Sequence, residues 1–397
     1  MRTDYKATFY FTIILLAILF FFLNYQQVFS ERIVTKNTST VSFAGKYQSD
    51  TPDHIRLLKL YFAGERYIPH PMWHLGTYIT SKIAFISIPL AAVIFSTFIM
   101  LAWIGVIFFY LQLKFKEQDT KYAKFSIVLL LTLITIIFIG PMLFPKYEYI
   151  IYAGKGSPNI WHNITIWMVK PFAFISVIFT VLAINKDRSL FYTIAFIMAT
   201  LSIFAKPSFI IMFLPSLLLL ALIQKIYTKK FFYFFITLSL VSVGILLYQF
   251  SNTFGESEVI LKPLVVWSLS SRNIAFSILL GLLFPILYTI YTKKNSYDKL
   301  YQLVWIQVII GIIFYALFAQ AGVQFVHANF SWSYMIAMNF IYIISITSFV
   351  LEYKSISIYP RTILSVVLFL QFSIGVYYFY KILLGQNPLY ISMMFLR

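Results

Sequence analysis

Long apolar runs, each broken after about 20 positions by a short polar or basic stretch, set the pattern of this chain. A run of that length fits a helix that crosses a bilayer, and the runs do not alternate apolar with polar as the strands of a membrane barrel would. The predicted spans lie near 7–29, 87–113, 125–144, 164–184, 189–205, 208–225, 231–250, 265–291, 300–320, 332–351 and 362–383. Backbone amides in hydrocarbon need partners within the chain, and a helix supplies them all internally. The expected fold is all-α: a polytopic transmembrane helical bundle of about 11 spans, forming one membrane domain over 1–397.

The charged residues sort these spans by side. Lys114, Lys116, Lys121 and Lys124, then Lys186 and Arg188, then Lys225, Lys229 and Lys230, then Lys293, Lys294 and Lys299, then Lys354 and Arg361 occupy every second connection. Under the positive-inside rule these loops are cytoplasmic, which places the N-terminus inside and the C-terminus outside. The first apolar run has a short basic lead and no small-residue cleavage site, so it is expected to stay as a signal anchor. Two adjacent segments, 189–205 and 208–225, are short, and Lys206-Pro207 between them reads equally as a break within a re-entrant pair.

The outer side carries two substantial loops, 30–86 and 145–163. In the first, Asp50-Thr51-Pro52-Asp53-His54 leads into Ile55, Leu57, Leu58, Leu60, Tyr61 and Phe62, with Arg56 and Lys59 interspersed. An acidic, proline-containing start followed by an apolar stripe predicts an amphipathic helix over 53–63, lying on the membrane surface. Either aspartate there reads as a helix cap or as a general base.

Composition adds that lipid is the main solvent: 60% of the residues are hydrophobic and only 11% are charged, too few to coat a soluble body of 397 residues. The net charge of +18 is spread over small groups between spans, so it does not form a nucleic-acid surface. With no cysteine, disulfides and thiolate chemistry are excluded. No Gly-rich phosphate loop of the ATP-binding type is present.

The candidate chemistry gathers on one side. All five histidines, His54, His70, His74, His162 and His327, fall at or near the outer face. So do Asp50, Asp53, Glu65, Glu148, Glu256 and Glu258, with Arg66, Lys155, Lys170, Lys206, Lys262 and Arg272 level with them or slightly deeper. Ionisable groups at that depth are expensive and face protein-lined cavities, which predicts one outward-facing polar site. Pro69-His70-Pro71-Met72-Trp73-His74 also reads as interface anchoring. Gly154-Lys155-Gly156-Ser157-Pro158-Asn159-Ile160-Trp161-His162-Asn163 forms a loop ending at a helix start with Asn163 as its cap, where free amides and Lys155 suit an anion; a plain turn explains the glycines and proline as well. Lys170-Pro171, Lys206-Pro207 and Lys262-Pro263 repeat a dipeptide whose ammonium either snorkels to water or holds a phosphate or pyrophosphate, with Arg272 nearby. No histidine pair has ligand spacing on a predicted helix, because Pro71 interrupts His70 and His74, so no cofactor is assigned and a divalent cation is left open. The sequons at Asn37, Asn163 and Asn329 are short enough to arise by chance.

The first span, the segment Ser49-Asp50-Thr51-Pro52-Asp53-His54-Ile55 and the surface helix after it resemble the multi-spanning glycosyltransferases of the GT-C class, particularly bacterial enzymes of cell-surface polysaccharide assembly. The segments Asn159 to Asn163 and Lys206-Pro207 look similar to outer-loop features of bacterial envelope proteins. The chain departs from the class in spacing its acidic pair D-x-x-D, which leaves Asp50 and Asp53 both open. The resemblance implies a bacterial inner-membrane enzyme and a polyprenyl-linked sugar donor entering from the bilayer, its tail guided by the surface helix. The acceptor would be a glycan, lipid or protein. It further implies Asp53 as base with Asp50 as substitute, Lys155, Lys206 and Arg272 on the phosphate, and His54 and His162 as orienting groups. Lys262, Asn163, His74 and His327 complete the expected binding set, and Trp73, Trp161 and Trp267 are expected to stack on sugars. A polysaccharide polymerase using a polyprenyl-pyrophosphate oligosaccharide, and a secondary transporter or flippase, are the alternatives.

Overall fold

The computed structural model describes residues 2–29, 32–34, 43–45, 49–116, 122–142, 151–253, 258–292, 298–322, 325 and 328–384. The order is α1 (Arg2–Phe29), β1 (Arg32–Val34), β2 (Phe43–Gly45), α2 (Thr51–Phe62), α3 (Met72–Ala84), α4 (Ile88–Lys116), α5 (Tyr122–Phe138), α6 (Ile151–Lys155), α7 (Ile164–Lys186), α8 (Ser189–Ala205) and α9 (Ser208–Gln224). It continues with α10 (Lys229–Thr253), β3 (Val259–Leu261), α11 (Val265–Ser268), α12 (Ile274–Gly281), α13 (Leu283–Tyr291), α14 (Lys299–Leu317), β4 (Phe318–Gln320), α15 (Ser331–Glu352) and α16 (Ile358–Leu383). The strands form two short antiparallel pairs, β1 with β2 and β3 with β4.

The molecule is a helical bundle with almost no sheet. Among the described residues, seven helices are long and apolar enough to cross a membrane: α1, α4, α7, α10, α14, α15 and α16. The other four expected spans, at 125–144, 189–205, 208–225 and 265–291, come out differently. α8 and α9 have 17 residues each, about 25 Å of helix against a hydrocarbon core of about 30 Å. The described apolar part of α5 is Ile127–Phe138. The segment expected as one span at 265–291 is instead the single turn of α11, followed by α12 and α13 bent by 68°. Pro285 has no N–H to give to the Gly281 carbonyl one turn back, and the Tyr342 hydroxyl takes its place, donating to Gly281 O at 2.6 Å. The break at Lys206-Pro207 has the same origin: a residue before proline is driven out of the helical region, and Lys206 is extended at φ −168°.

α15 is the central helix, buried on nearly every face, and α4, α5, α7, α9, α13 and α14 pack around it. α1, α10 and α16 lie outside, presenting side chains such as Phe11, Leu240 and Phe369, which are 68%, 69% and 67% exposed. Exposed apolar surface on that scale matches lipid as the outer solvent. One end of the bundle joins the basic connections, where Lys230 Nζ bonds Asp187 and Lys299 Nζ donates to Asn185 Oδ1 at 3.1 Å. The opposite end gathers the start of α7, the α8–α9 break and the start of α15.

α16 reaches this bundle through backbone contact. Gly140 N donates to Gln371 O at 3.2 Å, and a Cβ on Gly375 would lie 1.7 Å from the Phe138 carbonyl oxygen. Neither backbone can yield cheaply, so Gly375→Ala is expected to destabilise by about 1–3 kcal/mol or more. Thermal unfolding in detergent checks this against Gly244→Ala, where a new Cβ meets nothing within 4 Å and no loss is expected.

Candidate functional site

The loop before α7 is fixed by a network that only the folded bundle can supply. Gly156 sits at φ +77° with Tyr334 and Met338 packed where a Cβ would go, so glycine is required twice over. Asn159 Nδ2 donates to Ile136 O and Ile139 O, closing the loop on the end of α5. Lys170 Nζ donates to Pro158 O at 3.1 Å and Asn159 Oδ1 at 3.3 Å, and Asn339 Nδ2 reaches the same two atoms. Gln27 Nε2 holds Trp161 O at 2.9 Å. This rigid frame delivers His162 and Asn163 to the bundle end.

α2 docks on that frame by its first residues: Asp50 N and Ser49 Oγ both donate to His162 O, at 3.1 and 3.2 Å. Asp50 occupies the N-cap position of α2, yet its carboxylate does not cap the helix. It accepts instead from Asn163 Nδ2, at 2.6 Å. Asn163 caps α7 as expected, its Oδ1 accepting from Ile166 N at 3.1 Å and from Thr165 Oγ1 at 2.8 Å. Thr165 Oγ1 in turn accepts from Lys206 Nζ at 2.9 Å. Three segments far apart in sequence are thus joined in one hydrogen-bonded chain, Lys206–Thr165–Asn163–Asp50. The Asp50 and Lys206 charges are close enough to favour one another. The Lys206 ammonium also lies 4.9 Å from the centre of the Trp332 ring, and the Tyr152 ring packs against His162, 4.5 Å between centres.

Four histidines surround this chain. His54 Nδ1 and His74 Nε2 are 3.1 Å apart, with His70 beside both. Burial pushes the His54 imidazole well below its usual pKa, helped by His74, His70 and Lys206. Burial and then Lys206 do the same to His70. Burial lowers His74 to about 4, and burial with Lys206 lowers His162 to about 4. All four are neutral near pH 7, and the Lys206 charge reaches His54, His70 and His162.

The remaining expected residues are placed differently. Asp53 is half-buried in the first turn of α2. Lys155 is fully buried at the end of α6, where its carbonyl accepts from the Tyr334 hydroxyl at 3.1 Å. Lys262 and Arg272 are exposed, one after β3 and the other before α12. The Lys-Pro series therefore has three environments: Lys170 clamps a loop, Lys206 enters the chain and Lys262 faces outward. The aromatics expected to stack on sugars are core residues, since Trp73, Trp161 and Trp267 are 0%, 1% and 0% exposed, with Trp73 Nε1 given to Ser96 Oγ and Trp267 Nε1 to Gly154 O. His327, Glu148, Glu256 and Asn37 lie outside the described residues.

Sequence reasoning missed Thr165 and Trp332. Both act through contacts between remote segments, and nothing local marks a threonine two positions past a cap. Among the described residues, no group of three or more His, Asp or Glu is arranged to hold a metal ion. No protein-family model and no curated protein sequence matches this chain.

Proposed function

We propose that this protein is a membrane glycosyltransferase that moves a sugar from a polyprenyl-phosphate donor to an acceptor on the extracytoplasmic side, in assembly of a bacterial cell-envelope glycan. The observation that carries the reading is the Asp50 carboxylate, turned away from its own helix terminus and tied through Asn163 and Thr165 to the buried Lys206. Such a pairing of carboxylate and ammonium fits transfer from a phosphate: Asp50 takes the acceptor's proton, and Lys206 balances charge on the departing phosphate. Asp50 thus replaces Asp53 as the favoured base. The amphipathic α2, with Arg56 and Lys59 exposed and Ile55 and Leu58 buried, is suited to guide a lipid chain to the site. The eleven-span topology with an inner N-terminus belongs to the same proposal. It is supported by the basic connections that share the end opposite Asp50 and Lys206.

A transport reading draws on the helix breaks at Lys206-Pro207 and Leu282, since broken helices line transporter sites. A polymerase would use the same chemistry on a pyrophosphate-linked oligosaccharide. Purified protein given radiolabelled polyprenyl-phosphate sugars and candidate acceptors separates these readings. Covalent transfer with release of polyprenyl phosphate is expected. Movement of the intact donor across liposomes without transfer would replace the proposal with transport.

The histidines set the acid limit. In the unfolded chain they take up protons near pH 6.5, whereas His74 and His162 in the fold do so near pH 4. Between those values the unfolded state binds more protons, so stability falls as pH falls, by up to about 1.4 kcal/mol per pH unit for each group. Melting temperature is expected to be higher at pH 7 than at pH 5, with a shallower dependence in His162→Asn.

A further inference from the structure

Three helices begin around Lys206. Its Nζ donates to Thr165 Oγ1, in the first turn of α7, at 2.9 Å, and lies 4.9 Å from the ring centre of Trp332, in the first turn of α15. Lys206 itself precedes Pro207, the N-cap residue of α9. Ser333 Oγ closes the group by donating to Ser208 O at 2.7 Å, which joins the starts of α15 and α9. Asn163 caps α7, whereas α9 and α15 have no side-chain cap among the described residues. The first bond inside α9 runs from Ile211 N to Pro207 O, so the amides of Ser208, Phe209 and Ile210 have no acceptor within their helix. Those of Trp332 and Ser333 hold the same position in α15.

Each such start carries about 0.5 of a positive charge, so three of them with the Lys206 ammonium exceed the one negative charge of Asp50 by about 1.5. A buried surplus of that size calls for an anion. An independent observation points the same way. Ser331, the first residue of α15, is 1% exposed, and its Oγ has no hydrogen-bond partner among the described residues. Side chains on a helix lean towards its N-terminus, so this hydroxyl is carried to the space that the free amides face. A buried hydroxyl without an acceptor is destabilising, and a ligand oxygen would supply one. We infer that a phosphate group binds at the starts of α9 and α15 beside Lys206, with Ser331 Oγ and the first amides of α15 donating to its oxygens. The assignment rests on the phosphate role proposed for Lys206 and names the side that grips the leaving group. A sugar-bearing phosphodiester has one negative charge, whereas the polyprenyl phosphate released from it has up to two. The surplus therefore holds the departing group more tightly as its charge grows.

The test titrates full-length protein in detergent with farnesyl phosphate, farnesol and inorganic phosphate, and reads the Kd by calorimetry. Ser331→Ala removes a hydroxyl that the unliganded protein leaves without an acceptor, so the melting temperature without ligand is expected to stay level or rise. The Kd for farnesyl phosphate is expected to rise about tenfold, the equivalent of one lost hydrogen bond to a charged group. Ser331→Asp places a carboxylate at the helix start, which favours the fold but takes the phosphate's place. It is expected to raise the melting temperature and abolish binding. A purely structural serine would instead lower the melting temperature in Ser331→Ala and leave the Kd alone. An unchanged Kd in Ser331→Ala, or farnesol binding as tightly as farnesyl phosphate, overturns the assignment. Inorganic phosphate is expected to bind more weakly, and equal binding would assign the place to free phosphate and not to a lipid. Farnesyl phosphate held by a wild-type protein that transfers no sugar would sink the transferase reading alone, whereas sugar transfer with the Kd unaltered in Ser331→Ala would sink only this assignment.

Discussion

Asp50→Asn is expected to lower sugar transfer at least ~100-fold, within the range for removal of a general base, while the protein still folds. Asparagine keeps the shape of the side chain, and its Oδ1 can still accept from Asn163 Nδ2, so the join between α2 and α7 survives. What disappears is the negative charge facing Lys206 and the capacity to take a proton. The contrast is Asp53→Asn, in the first turn of α2, which is expected to retain most of the activity. Initial rates with a radiolabelled donor, measured on both variants after matching their melting temperatures, check the pair. A larger loss in Asp53→Asn would return the base to the position first favoured from sequence.

Lys206→Met comes second and is expected to reduce kcat/KM for the donor by about 100-fold or more, the scale of removing one preorganised charge-stabilising donor. The methionine chain can fill the space against Trp332, so the effect isolates the ammonium. Lys170 supplies the comparison because it is also buried, but its Nζ is spent on Pro158 O and Asn159 Oδ1 and lies 4.4 Å from the Trp167 ring centre. Lys170→Met should lower the melting temperature and leave the donor kcat/KM unaltered. Steady-state rates over a donor titration distinguish the two lysines, and an equal donor kcat/KM in wild type and Lys206→Met would remove Lys206 from the phosphate role.

How far the sequence could be read follows from which signals are local. Helix positions came from apolar run length, a property of each segment alone, and Asn163 as the cap of α7 came from a turn followed by an apolar run. The Lys206-Pro207 break was legible because proline acts on its immediate neighbours. The bend at Leu282 was hidden inside one apolar stretch, although Pro285 was its visible cause. α3 went unseen because its prolines and histidines read as an interfacial loop, whereas His74, Thr77 and Ser81 form its buried face.

The site divides the same way. Residue types that are costly in a membrane flagged Asp50, His54, His162 and Lys206, since no packing need explains a charge or imidazole there. The partners that give them direction, Asn163 on Asp50 and Thr165 under Lys206, depend on segments 113 and 41 residues apart. Only the packed bundle defines those pairs. The tryptophans misled because an aromatic beside a loop reads equally as a platform or as core, and the fold used them as core.

Cysteine cross-linking reads the convergence of Asp50 and Lys206 most directly, since the wild-type chain has no cysteine and therefore no background. Asp50→Cys with Lys206→Cys, treated with a short bifunctional thiol reagent, should yield an intramolecular bridge seen in the intact mass, whereas Asp50→Cys with Lys230→Cys, at opposite ends of the bundle, should not. A bridge in the second pair and none in the first would mean that the carboxylate and the ammonium do not share a site.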